Sequence, residues 1–175
     1  MKVRWPLIVV LLPIAVMAMW CAFLSLAIAR ATEVSLKVEG YDPRDLLRGH
    51  YLMYRVDYGF EPQNLNMRYG ENGCVCLSVG DQGIARATWQ GLCEDRNEST
   101  CPLFIKGRSE YGNFVAGIER YYFPEEYQQV LFSIPRDATI KVRITEDGSA
   151  YVRDMYVAGE PILEYARRNS SASQR

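Results

Sequence analysis

The chain has 175 residues, with 20 Lys and Arg against 21 Asp and Glu and a single histidine. That length allows one extramembrane domain plus an appendage, enough for a real core. The basic residues form no cluster, so nucleic-acid binding has no electrostatic support, and the lone His50 excludes a histidine-rich metal site.

The appendage comes first. Trp5 to Ala29 carries no charge and is almost wholly apolar. As a helix it would reach about 37 Å, against ~30 Å of bilayer hydrocarbon. Residues 1–29 are therefore expected to form a transmembrane signal anchor in contact with membrane lipid. Pro6 suits the helix start and Pro13 would kink it. A cleaved signal peptide is the rival reading, because Ala27-Ile28-Ala29 has the small-x-small pattern of a cleavage site, but the apolar run exceeds the roughly 7–15 residues of a signal core. Lys2 and Arg4 favour a cytoplasmic N-terminus and an external C-terminal domain.

Beyond the anchor the chain reads as short strands. Val34 to Val38 alternates apolar with polar, a first strand. Asp42 then offers an N-cap, Pro43 a first helical residue, and Gly49 a left-handed stop: a capped turn before a second strand from Leu52 to Tyr58. Cys74 to Val79 and Ile84 to Trp89 flank Gly80-Asp-Gln-Gly83 as a hairpin, and Leu103-Phe-Ile105 resumes as a strand. Asn113 to Phe123 is a long β-prone run stopped by Pro124. One helical turn is expected at Glu125 to Gln128 and a strand at Val130 to Ile134. Thr139 to Val157 is the clearest hairpin, turning at Asp147-Gly148 with a loop of two or three residues. Residues 161–175 are polar and are expected to be a disordered tail. Many short strands without a long amphipathic helix predict a mainly β domain over residues 30–160, a sandwich or a partly open barrel.

Two sequence blocks carry a family likeness. Asp42-Pro-Arg44-Asp-Leu-Leu-Arg48-Gly49 followed by Tyr51 is the first; Gly117-Ile-Glu119-Arg120-Tyr121-Tyr-Phe-Pro-Glu125 is the second. With Asp147-Gly148 and Gly159 in order behind them, they resemble the bacterial GDYXXLXY family over roughly residues 30–160. In the eponymous motif Gly49 and Tyr51 match, while His50 replaces Asp, Tyr54 replaces Leu and Val56 replaces the last Tyr. The resemblance implies an inner-membrane, single-pass protein with a periplasmic domain; it supplies no catalytic residues to carry over, and no cofactor is expected. It marks Asp42, Arg44, Arg48, Gly49, His50, Tyr51, Glu119, Arg120 and Tyr121 as the motif residues available for interaction.

Chemistry-bearing residues are few. Cys74, Cys76, Cys93 and Cys101 form an even set. Regular strand geometry sends Cys74 and Cys76 to one face, where each would reach the 93–101 loop as a disulfide. Buried free thiols and a four-thiolate zinc site with unusual spacing are the alternatives. Tyr111, Tyr121, Tyr122, Phe123 and Tyr127 would line a groove or pack the sheet; Glu119, Glu125 and Glu126 would pair as carboxylates or stay solvated. The reading that fits these features is a membrane-anchored domain that binds an integral membrane protein and catalyses nothing. Two other classes stand beside it: a signal-peptidase-like hydrolase with a Ser/Lys site, and a module that binds a small ligand or the cell wall.

Overall fold

A computed structural model describes residues 5–42, 51–60, 67–80, 83–127, 131 and 138–172. It divides into two units, Met1–Ala31 and Thr32–Arg175. The first is helix α1, Trp5–Ala29, with Pro13 inside it. Its large apolar side chains, among them Leu12, Met17, Trp20 and Phe23, are exposed on all sides. The helix stands where the sequence places it. Among the described residues, however, no helix is long and apolar enough to cross a membrane.

The second unit is mainly β, two curled antiparallel sheets. Its strands are β1 Thr32–Asp42, β2 Tyr51–Asp57, β3 Asn72–Val79, β4 Ala85–Gly91, β5 Phe104–Glu110, β6 Asn113–Val115, β7 Arg120–Tyr122, β8 Ala138–Ile144, β9 Ala150–Val157 and β10 Glu160–Pro161. The larger sheet has the order β10-β9-β8-β1-β2-β7 and the smaller β4-β3-β5-β6. Period-two alternation builds the core between them. Val34, Leu36 and Val38 of β1, with Ile140, Val142 and Ile144 of β8, are buried alongside Val75 and Ile105 of the smaller sheet.

Strand β3 is buried on both faces, and its sequence shows why. Val75 and Leu77 enter the main core, while Cys74 and Cys76 enter a second cluster with Cys101 and Phe104. That outer cluster is closed by two disulfides, Cys74–Cys93 and Cys76–Cys101. They take the expected pairing of strand to loop and consume the thiolates that a zinc site would need. Closing loops with sequence separations of 19 and 25 residues, each bridge contributes about 3 kcal/mol in the chain-entropy account. The Arg96 guanidinium lies 3.9 Å from the Phe104 ring centroid and covers the cluster.

The β8–β9 hairpin has a loop with Glu146, Asp147 and Gly148 at its tip, closed by Gly148 N–H on Thr145 O (2.9 Å) and Thr145 N–H on Ser149 O (3.0 Å). Gly148 sits at φ +84, and a Cβ there would meet Phe104 Cε2 at 2.4 Å, so both backbone and space demand glycine. This settles the loop at three residues, a turn followed by a left-handed residue.

Three expectations need correction. The run Asn113 to Phe123 is not one strand: Gly117, at φ +84, divides it into β6 in one sheet and β7 in the other. Leu131 is helical and buried where a strand was predicted; the residues around it lie outside those described. The C-terminal segment is not a structureless tail. Ile162–Ala172 forms helix α2, which buries Ile162 and Ala166 completely. An apolar pair four apart faces the core, Pro161 precedes the first turn, and Glu164 lies at its positive end. Arg168 is tied back to Glu160.

Candidate functional site

Tyr51, at the end of the first family block, meets the second block. Strand β7 pairs antiparallel with β2 as Tyr51↔Tyr122, Leu52↔Tyr121 and Met53↔Arg120. Tyr54 N–H extends the ladder onto Glu119 O at 3.1 Å. The rings of Tyr51 and Tyr122 lie 5.7 Å apart, and the Arg120 guanidinium is 5.5 Å from the Tyr51 ring centroid. Tyr51, Glu119, Arg120 and Tyr121 are thus brought together. Asp42 ends β1 opposite Met53. Arg44, Arg48, Gly49 and His50, and with them the capped turn, lie outside the described residues.

Past Tyr54 the two segments part, and a cleft of about 470 Å³ opens between β2 and β6. Its walls include Tyr54, Tyr58, Phe60 and Phe114, with Glu119 within and Arg55, Arg108 and Arg120 contributing to its lining. Glu119 is held by the bend at Gly117, which turns Ala116 N–H onto its carboxylate, N to Oε1 2.7 Å. Burial pushes the Glu119 carboxyl above its ordinary range, with backbone amides from Ala116 to Glu119 acting in the opposite direction. Among the described residues no cationic side chain is bonded to it.

The phenols have contrasting fates. Tyr54 donates its hydroxyl to Ile118 O at 2.5 Å. Tyr58 stacks on Phe60 at 5.8 Å and meets Phe114 edge-on at 5.5 Å. Its buried hydroxyl has no hydrogen-bond partner among the described residues. Burial raises the Tyr58 phenol well above the usual range, and the charge of Glu119 adds to this. Tyr121 is not part of the cleft lining. It donates to Asp154 Oδ1 at 3.2 Å and is pushed up to about 12, by burial first and Asp154 second, so it braces β9. At the rim Arg108 Nε bonds Glu110 Oε1 at 2.5 Å. Tyr111 is 83 % exposed in the β5–β6 turn, at φ 48.

Of the predicted groove aromatics, Tyr111 lines the cleft, while Tyr121, Tyr122, Phe123 and Tyr127 do not. Glu125 and Glu126 are exposed in a 3-10 turn, away from Glu119's cleft. Tyr54 and Tyr58 were not singled out; their even spacing, in β2 and just past its end, was the available signal. The serine beside Lys106 is Ser149. Its Oγ donates to Asp147 Oδ2 at 2.6 Å, and Lys106 Nζ stands 3.7 Å from that same oxygen. A carboxylate therefore separates hydroxyl from amine.

Fold and cleft define a two-sheet, disulfide-stapled β domain with an aromatic-walled recess, lined by arginines and glutamates, beside the junction of β2 and β7. The chain belongs to the GDYXXLXY family, described as GDYXXLXY protein, whose profile matches residues 13–155. Comparison with curated proteins and with solved structures found no match.

Proposed function

We propose that this protein is a membrane-tethered, periplasmic β domain that binds an integral membrane partner through the β2–β7 junction and its cleft, and that it works without catalysing a reaction. The observation that carries this reading is the pairing of Tyr51, from the first family block, with the second block on adjacent strands beside an open recess. Tethering is supported by the charge-free sequence from Trp5 to Ala29 and by the exposed apolar side chains of α1. A helix apolar all round has no aqueous resting place and needs a bilayer or a protein core around it. Two disulfides agree with an oxidising compartment. Confinement to the membrane plane raises the effective concentration toward a neighbour in the same bilayer, so a modest contact suffices.

Crosslinking in intact bacterial membranes followed by affinity capture tests it. The expected result is retention in the membrane after alkaline extraction, an uncleaved N-terminus by intact mass, and one discrete membrane-embedded partner. A soluble mature chain beginning near Arg30, or a turnover lost with one serine or lysine, overturns the reading.

A further inference from the structure

The two sheets have four end strands, and the chain closes two of them itself. Helix α2 lies against β10, and β4 is tied to the end of β2 by Ala87 N–H on Tyr58 O at 2.8 Å. The other two, β6 and β7, are each paired on one side only among the described residues.

Backbone direction shows what β6 leaves open. Ser109, opposite Phe114, turns its own backbone away from β6: its N–H donates to Glu71 O at 3.0 Å, and its C=O accepts from Gly70 N–H at 2.7 Å. Ser109 and Phe114 therefore exchange no hydrogen bonds, and Phe114 directs its N–H and C=O to the outer edge. The same reasoning holds on β2. Tyr54 N–H reaches Glu119 O at 3.1 Å, and Tyr58 O takes the Ala87 N–H on that same edge. Val56 lies between them, so its N–H and C=O point the same way, into the stretch that β7 does not reach. Phe114 and Val56 both line the cleft, and among the described residues neither backbone has a partner across that edge.

Open main-chain donors and acceptors are a template for another chain. A single polar group answers one of them; an extended segment answers both edges, because its successive residues turn their backbone groups to opposite sides. The lining charges are of both signs, Arg55, Arg108 and Arg120 with Glu110 and Glu119, so recognition falls on the main chain. The rim adds a second feature. Tyr111, in the turn beside Phe114, holds φ 48 while 83 % exposed, and the exposed Tyr69 meets its ring at 5.2 Å. That conformation is strained for a side chain, and burial does not offset it here. Tyrosine is enriched among the residues that anchor protein interfaces.

We propose that the cleft binds an extended segment of the partner's main chain, a strand that pairs with Phe114 on β6 and with Val56 on β2 and meets Tyr111 at the rim. This rests on the binding reading above and names how the partner is held.

Photocrosslinking from position 53 in intact membranes supplies the complex, and hydrogen exchange resolved to single amides reads it. In the full chain alone, in detergent micelles, the Phe114 and Val56 amides are expected to exchange ahead of the ladder-bonded amides beside them. In the adduct both should slow about tenfold or more. Val56→Pro removes one outward N–H and leaves the pairing of Arg55 and Asp57 with β1, so the adduct should fall about tenfold. Val56→Ile keeps the N–H and should retain it. Where Val56→Pro unfolds the domain, the exchange comparison decides on the unaltered chain. A Phe114 amide already as protected as its neighbours in the chain alone overturns the open edge. An adduct in which both amides still exchange freely overturns the strand site and leaves the partner reading standing. No adduct at all overturns the partner reading and this inference with it. An adduct of twice the chain's mass, with both amides protected, keeps the edge pairing and replaces the partner by a second copy.

Discussion

At the scale of single residues, Glu119 governs the pH behaviour expected of the domain. Its carboxyl is raised in the folded chain because burial opposes ionisation. The protonated form is thus favoured by folding. Stability is full below the unfolded glutamate range, about 4.3, and falls as pH climbs from there through the raised folded value. Glu119→Gln should flatten that limb and stabilise the domain at neutral pH by roughly 1 kcal/mol, the scale of one polar interaction. Thermal denaturation at several pH values checks this; an unchanged slope means that Glu119 is already compensated. Glu119, Arg120 and Tyr121 were legible as a block, but not their separate duties. Glu119 precedes β7 and is set by the bend at Gly117, so it enters the cleft, while Tyr121 within the strand goes to Asp154. Nor could alternation along β2 reveal that Tyr54 finds Ile118 O and Tyr58 finds no acceptor, since those partners come from far along the chain.

At the scale of elements, local pattern carried most of the strands and failed where long-range packing decides. The Thr139 to Val157 hairpin was readable because its apolar positions alternate and its turn is marked by glycine; its loop length waited on the contact of Gly148 with Phe104. The run before Pro124 was misread because β-propensity is continuous through it, whereas Gly117 sends its halves to different sheets. Helix α2 was missed because its polar composition hides one buried pair. Ile162→Ala should cost about 2–5 kcal/mol in chemical denaturation, as for a fully buried side chain. Arg168→Ala should cost under about 1 kcal/mol, since its pair with Glu160 is solvent-exposed on the arginine side. Equal small losses from both would show that the helix is not held to the sheet.

At the scale of the molecule, the arrangement has a division of labour. The disulfide cluster lies on the smaller sheet at β3, away from the lining of the cleft, and stiffens the domain where its loops are polar. The cleft forms where β2 and β7 separate, so its shape follows from where a ladder stops, a property that no single strand encodes. That is why the cysteines could be read from the sequence as strand-to-loop bridges, with their pairing left open, while the recess itself stayed unseen. The most direct test of the account is site-specific photocrosslinking in intact membranes, with the reactive side chain placed at Met53 in the cleft or at Tyr151, exposed on β9. The account predicts one discrete adduct with a membrane protein from position 53 and none from position 151; equal labelling from both positions, or none from the cleft, would contradict it.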